Sequence, residues 1–187
     1  MRVIAGAARG RRLGPVPPGV RPVSDRAREG LFSSLGSTVP AARVLDLFAG
    51  TGALGIEALS RGADHAVFVD RSRPAIAAVR ANLAATGLGD RATVVTAEAR
   101  SFLSRADRSA GPFDLAVLDP PYEMEDPELG SVLRDLATGW LAPGDWTVAL
   151  TRGAKSSTPV IPLDWAVAKR LRYGDSLVIL YREVPWA

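Results

Sequence analysis

Cysteine is absent from this chain, histidine occurs once, and aromatic residues make up only 6% of it. Without cysteine there can be no disulfide, no thiolate metal site and no cysteine nucleophile. The single histidine, His65, stands where an apolar run begins. One imidazole is too few for a histidine-based metal cluster, and this position suits a structural role better than a catalytic triad. No uncharged apolar run approaches the roughly 20 residues that cross a bilayer, so no membrane span is expected. The opening MRVIAGAARGRRL has arginines but no apolar stretch of about 7–15 residues behind them. It does not read as a secretory signal, and the cytoplasm is the expected location.

What is present is ordinary globular material, 47% apolar and 23% charged over 187 residues, enough for one sizeable domain. The charge is unevenly placed. Residues 1–30 hold arginines 2, 9, 11, 12, 21, 26 and 28 against Asp25 and Glu29, a local balance of +5, whereas the whole chain carries only +3. A short arginine-rich arm on a near-neutral body points to phosphate contacts. Residues 1–22, rich in glycine and proline, are expected to form this basic arm or a short β-hairpin lying apart from the main core. Residues 23–187 are expected to form the main domain.

SDRAREGLFSSLG predicts a helix over 24–35, with Ser24 as N-cap, apolar Ala27, Leu31, Phe32 and Leu35 at helical spacing, and Gly36 as terminator. From there short apolar runs alternate with longer amphipathic ones. RVLDLF, HAVFVD, ATVVTA, FDLAVLD and DWTVALT read as strands; ALGIEALSRG, RPAIAAVRANLAATG, ARSFLSRA and DPELGSVLRDLATGW read as the helices between them. The pattern predicts an α/β, Rossmann-like fold with a mostly parallel sheet and helices on both faces. DWAVAKRLRYG and DSLVILYRE meet at Gly174 with no room for a helix, so the last strand is expected to pair antiparallel with its neighbour.

LDLFAGTGALGIEAL places Gly50, Gly52 and Gly55 in a G-x-G-x-x-G turn, and Asp70 closes the next strand about 20 residues on. A nicotinamide dinucleotide would fit such a turn. Asp46, however, lies where a pyrophosphate would sit; it would repel a dianion and attract the ammonium or sulfonium of S-adenosylmethionine. Asp70 can accept from both ribose hydroxyls. Glu98, after the third strand, could accept from an adenine amino group, or could simply sit as a solvated carboxylate in the first turn of a helix.

The fourth strand ends in Asp119, Pro120, Pro121 and Tyr122. Two prolines remove two backbone donors and stiffen the turn, leaving a corner that only accepts hydrogen bonds. The Asp119 carboxylate and the Pro120 carbonyl can hold the two N–H groups of a nucleobase amine, and Tyr122 offers a ring for the base to stack on. Nothing in this pattern calls for a metal.

Together these motifs resemble the class I S-adenosylmethionine-dependent methyltransferases that carry an Asn/Asp-Pro-Pro-Tyr motif. RVIAGAARGRRL, RPVSDRAREGLFSSL, VLDLFAGTGALGIEALSRGA, FDLAVLDPPY and YGDSLVILYR are similar, more narrowly, to the bacterial small-subunit ribosomal RNA guanine-N2 methyltransferases of the RsmD type. The family usually has Arg-Pro-Thr where this chain has Arg21-Pro22-Val23, and often Gly-Asp-Ala where it has Ala97-Glu98-Ala99.

The resemblance implies a seven-stranded sheet and S-adenosylmethionine as cofactor, held by Asp46, Phe48, Ala49, Gly50, Thr51, Gly52, Asp70, Arg71, Glu98 and Ala99. It implies catalysis by Asp119, Pro120, Pro121 and Tyr122 on N2 of a guanosine in 16S ribosomal RNA. The partner would be an assembled or partly assembled small subunit; apart from the resemblance, nothing in the sequence suggests an obligate dimer, and a monomer is expected. Phosphate contacts are expected from Arg2, Arg9, Arg11, Arg12, Arg26 and Arg28. The residues alone establish only an amine acceptor, so N6 of adenine in RNA or DNA, and a protein glutamine amide, stay open beside guanine. Pyrimidine C5 methylation, which usually proceeds through a cysteine adduct, does not.

Overall fold

A computed structural model describes residues 1–16, 23–105, 107–121 and 123–184. Arg21, Pro22 and Tyr122 lie outside the described residues. In chain order the elements are α1 (Asp25–Leu35), β1 (Arg43–Asp46), α2 (Ala53–Ser60), β2 (His65–Asp70), α3 (Arg73–Thr86), β3 (Ala92–Thr96), α4 (Ala99–Leu103), β4 (Leu115–Leu118), α5 (Asp126–Ala137), β5 (Thr147–Gly153), β6 (Trp165–Tyr173) and β7 (Ser176–Glu183). They build one seven-stranded sheet of order β3-β2-β1-β4-β5-β7-β6. The first five strands are parallel, and β7 runs antiparallel to both β5 and β6. The closing hairpin therefore inserts its second strand into the sheet and leaves β6 at the edge. Among the described residues no helix is long and apolar enough to cross a membrane.

Side-chain alternation along the strands divides the core into two layers. Val44, Phe68, Leu115, Val117 and Leu180 face α1, α2 and α3; Leu45, Val67, Leu118, Leu150 and Ile179 face α4 and α5. All four residues of β4 are buried, as expected for a central strand covered on both faces. The helix ends follow their local chemistry. Ser24 Oγ accepts from Ala27 N at 3.2 Å to start α1, and Gly36, at φ 51°, lets it stop.

The N-terminal arm does not lie apart from the core. Val3, Ala8 and Leu13 are buried in the layer of α1, α2 and α3. These three apolar residues between the arginines form the arm's inward surface, and the polar groups of α2 meet its backbone. Glu57 accepts from Ile4 N at 2.8 Å and Ala5 N at 3.1 Å, and Ser60 Oγ accepts from Ala8 N at 2.9 Å. Gly6, at φ +85°, passes so close that an added Cβ would stand 1.8 Å from Ser60 O. Arg2 and Arg12 form a single antiparallel bridge, a smaller pairing than a full hairpin.

Arg28 is not available to a phosphate. It was expected among the phosphate-binding arginines, yet it is fully buried, its Nη2 3.0 Å from Asp25 Oδ1 and its Nε 3.8 Å from Glu57 Oε2. Nη2 also donates to the Arg2 carbonyl. A guanidinium enclosed by the arm, α1 and α2 cannot reach a phosphate; it ties the three together. Glu57, itself buried, also holds Arg61 Nε at 2.7 Å. Replacing Glu57 by Ala leaves two arm N–H groups without their acceptor and removes one of the two carboxylates facing the buried Arg28, a loss of about 3–5 kcal/mol for a broken buried pair. Glu57→Ala is expected to lower the denaturant midpoint accordingly and to speed tryptic cleavage at Arg9, Arg11 and Arg12; an arm cleaved at the wild-type rate would exclude this anchor.

Candidate active site

Four neighbouring parallel strands each deliver a carboxylate to the same edge of the sheet. Asp46 ends β1, Asp70 ends β2, Glu98 follows β3 by two residues and Asp119 follows β4 by one. Ligands bind outside this carboxyl edge in open α/β sheets. Asp46 pairs in register with Val117, which puts Asp119 one pleat further along the adjacent strand and on the same face.

The glycine turn is organised by two of these acids. Asp70 Oδ2 accepts from Gly50 N at 2.8 Å and its Oδ1 from Ser72 N at 2.8 Å; Asp46 Oδ2 accepts from Gly55 N at 2.9 Å. Gly50 and Gly52 adopt φ 54° and 78°, which favours glycine at both positions. Gly55 serves packing, since a Cβ there would stand 2.3 Å from the Phe68 ring. Ala49, Gly50, Thr51 and Gly52 are buried, Phe48 is half-buried, and Arg71 is exposed at the start of the loop after β2.

Burial and crowding alter the acids at the centre. Asp46 is 1% exposed and its Oδ1 has no hydrogen-bond partner among the described residues. Burial pushes its pKa up to about 7, against the Gly55 N–H that favours the charge, and the Asp70 carboxylate adds to the rise. Asp119 is half-buried, and burial together with the charge of Asp46 pushes it up to about 7 as well. Both groups thus titrate near neutrality. Pro120 is buried and Pro121 exposed.

Glu98 differs from both. Its Oε2 accepts from Ser101 N at 2.9 Å, capping α4. Burial opposes its charge, but the Ser101 and Arg100 N–H groups and the Arg100 cation outweigh that and hold it below its usual range. It also lines a cleft of about 820 Å³ between α4 and α5, where Arg100 and Arg108 face Glu128 and Asp135. Ala99 points into the core beneath α4. Of the arginines expected at a phosphate, Arg2, Arg9, Arg11, Arg12 and Arg26 are exposed.

One residue that the motifs did not single out joins arm and turn. Asn82, buried in α3, donates from Nδ2 to Thr51 O at 2.8 Å and accepts on Oδ1 from Gly14 N at 2.7 Å. A polar residue on the buried side of an amphipathic helix was the available signal.

The family model described as conserved hypothetical protein 95 matches residues 1–182. Ribosomal RNA small subunit methyltransferase D of Escherichia coli (strain K12) is 36% identical over 187 residues, covering 97% of this chain and 89% of that one. The chain belongs to this family of RsmD-type methyltransferases. The solved structure of Escherichia coli yhhF superimposes with a TM-score of 0.85 at 35% identity, covering 98% of this chain and 97% of that one. SMU.776, complexed with SAH, shares the fold at a TM-score of 0.71 and 17% identity, covering 89% of this chain and 50% of that one.

The cofactor of the family is S-adenosylmethionine, and the donor set fits it. The orphaned Asp46 Oδ1 is a buried acceptor suited to a cationic group. Both raised carboxyl groups keep their protons in the folded protein to a higher pH than the roughly 3.9 of an unfolded aspartate. Their stabilising contribution is thus complete below about pH 4 and is lost as pH rises through about 7. In ligand-free protein the drop in melting temperature from pH 5 to pH 8 is expected to shrink in Asp46→Asn; an identical drop in the variant would exclude Asp46 as its source.

Proposed function

We propose that the chain transfers a methyl group from S-adenosylmethionine to the exocyclic N2 amine of a guanosine in 16S ribosomal RNA. The observation that carries this is the acidic file along one sheet edge, ending in the half-buried Asp119 on a corner with few donors. The 36% identical relative named ribosomal RNA small subunit methyltransferase D supports the choice of RNA. The substrate in this view is an assembled or partly assembled small subunit in the cytoplasm, and the enzyme acts as a monomer.

The cofactor supplies an electrophilic methyl group on a sulfonium. Within the site, Asp46 Oδ1 takes a cationic group of the ligand, the ribose hydroxyls go to Asp70, and Glu98 accepts from the adenine amine with the oxygen that does not cap α4. Phe48, Ala49, Gly50, Thr51 and Gly52 form the wall of the turn, with Arg71 and Ala99 flanking it. On the other side, Asp119 and the Pro120 carbonyl accept the two N–H groups of N2 and turn its lone pair toward the methyl carbon. Pro121 stiffens the corner, and Tyr122, outside the described residues, supports the base. Exposed Arg2, Arg9, Arg11, Arg12 and Arg26 meet phosphates.

Methyl transfer leaves a positively charged amine that must lose a proton, and a carboxylate of pKa about 7 in contact with it is suited to receive that proton. The transfer rate is expected to rise with pH through about 7, because a protonated Asp119 cannot take up the proton that the methylated amine releases. A flat profile between pH 5.5 and 8 would remove Asp119 from that role.

Asp119→Ala is expected to bind S-adenosylhomocysteine as the wild type does and to lose at least 100-fold in tritiated methyl transfer, in the range of a general acid–base or positioning group. Full activity in the variant would overturn the assignment. Mass-spectrometric mapping of ribosomal RNA nucleosides from cells with and without the protein tests the acceptor. Loss of N2-methylguanosine at one 16S position is expected, and loss of N6-methyladenosine would replace guanine by adenine.

A further inference from the structure

The closing hairpin carries a second basic surface, separate from the arm. Strand β6 is the free edge of the sheet and contains Lys169, Arg170 and Arg172 with no acidic residue between Trp165 and Tyr173. Register assigns their faces. Arg172 pairs with Leu177, which pairs with Arg152 of β5; in the next row Arg170 pairs with Ile179, which pairs with Leu150. Leu150 and Ile179 belong to the core layer of α4 and α5, so Arg152, Arg170 and Arg172 share that face. Lys169 turns to the opposite face, where its Nζ lies 3.2 Å from Ser34 Oγ.

Arg170 and Arg172 are exposed, and among the described residues neither has an acidic partner within ion-pair distance. Arg152 extends the row inward. Its Nη2 is held by Asp126 Oδ1 at 3.1 Å, while its Nη1 is buried with no hydrogen-bond partner among the described residues.

Position gives the surface its meaning. β6 runs parallel to β5, so Arg172 lies at the same carboxyl edge as Asp119, three strand spacings away, or about 14 Å. The arm docks on α1, α2 and α3, on the opposite face of the sheet. A strand of RNA stacked at about 3.4 Å per phosphate spans 14 Å in roughly four nucleotides. An RNA strand with its target base at Asp119 would thus meet the β6 cations within a few nucleotides, beside an edge that is itself acidic, with the arm's arginines on the other face of the sheet.

We propose that Arg170 and Arg172 form a second phosphate-binding surface for the RNA substrate, opposite the arm. This rests on the RNA-methylating function proposed above. Cations on an edge strand can also serve only to discourage edge-to-edge pairing, and the two roles separate experimentally.

Binding of the full-length protein to 16S ribosomal RNA, titrated at several salt concentrations, is the measurement, with the KM for RNA alongside. The double variant Arg170→Gln/Arg172→Gln is expected to reduce the slope of log K against log salt by about 1.5, since each phosphate contact contributes about 0.7–0.9. KM for RNA rises while kcat and S-adenosylhomocysteine affinity stay unchanged, and Arg170→Lys/Arg172→Lys keeps the wild-type slope. An unchanged slope and KM in the glutamine variant would overturn the proposal, as would self-association of that variant with a wild-type slope in its monomeric fraction. Arg9→Gln/Arg11→Gln/Arg12→Gln is run in parallel. If the arm variant loses slope and the β6 variant does not, the second surface alone falls. If wild-type protein neither binds nor methylates RNA, the proposed function falls with it.

Discussion

The turn between β1 and α2 stands because carboxylates from two adjacent strands take its N–H groups: Asp70 holds Gly50, and Asp46 holds Gly55. A helix entered through two left-handed glycines has little of its own to fix its direction, and these two bonds supply it. The rest of the site side hangs on that direction. α2 presents Glu57 and Ser60 to the arm, Glu57 reaches Arg28 of α1, and Asn82 ties the turn at Thr51 to the arm at Gly14. Arm, turn and three helices thus form one hydrogen-bonded unit, so the basic arginines of the arm sit at a defined distance from the cofactor turn.

Charge is arranged in opposition along the molecule. The carboxyl edge of β3, β2, β1 and β4 is acidic, and burial raises two of its members, Asp46 and Asp119, to pKa values of about 7. Exposed arginines stand on both faces of the sheet, on the arm and on β6. An acidic crevice welcomes a cationic ligand but repels a polyanion, so an RNA substrate needs neighbouring cations to overcome that repulsion. The near-neutral net charge of the whole chain hides this separation.

Much of the fold was legible in the sequence. The alternation of apolar runs and amphipathic stretches gave away the parallel sheet, the N-cap and terminator of α1, and the glycine turn, because each of these depends on neighbours within a few residues. The order of the last two strands was not legible. Nothing local in DWAVAKRLRYG or DSLVILYRE distinguishes an edge strand from an inserted one except the density of arginines on β6, a signal that also fits a solvated face. The carboxylates of the site were readable as strand-end acids; that Glu98 caps a helix while Asp46 is left with an orphaned oxygen was not.

The sequence by itself determined which chemistry the chain carries: an acceptor corner at Asp119 and Pro120, a glycine turn with its two acids, and no thiol. These follow from residue type and short-range spacing. Only the tertiary structure decided which charges are available to a partner. Arg28 and Arg26 are two residues apart on one helix, yet one is enclosed by Glu57, Asp25 and the arm and the other faces solvent. The arm likewise looks like a loose tail until α2 supplies acceptors for its backbone. Burial is a property of what packs from elsewhere in the chain, and contacts between residues some fifty positions apart, such as Ile4 with Glu57, leave no mark on local spacing.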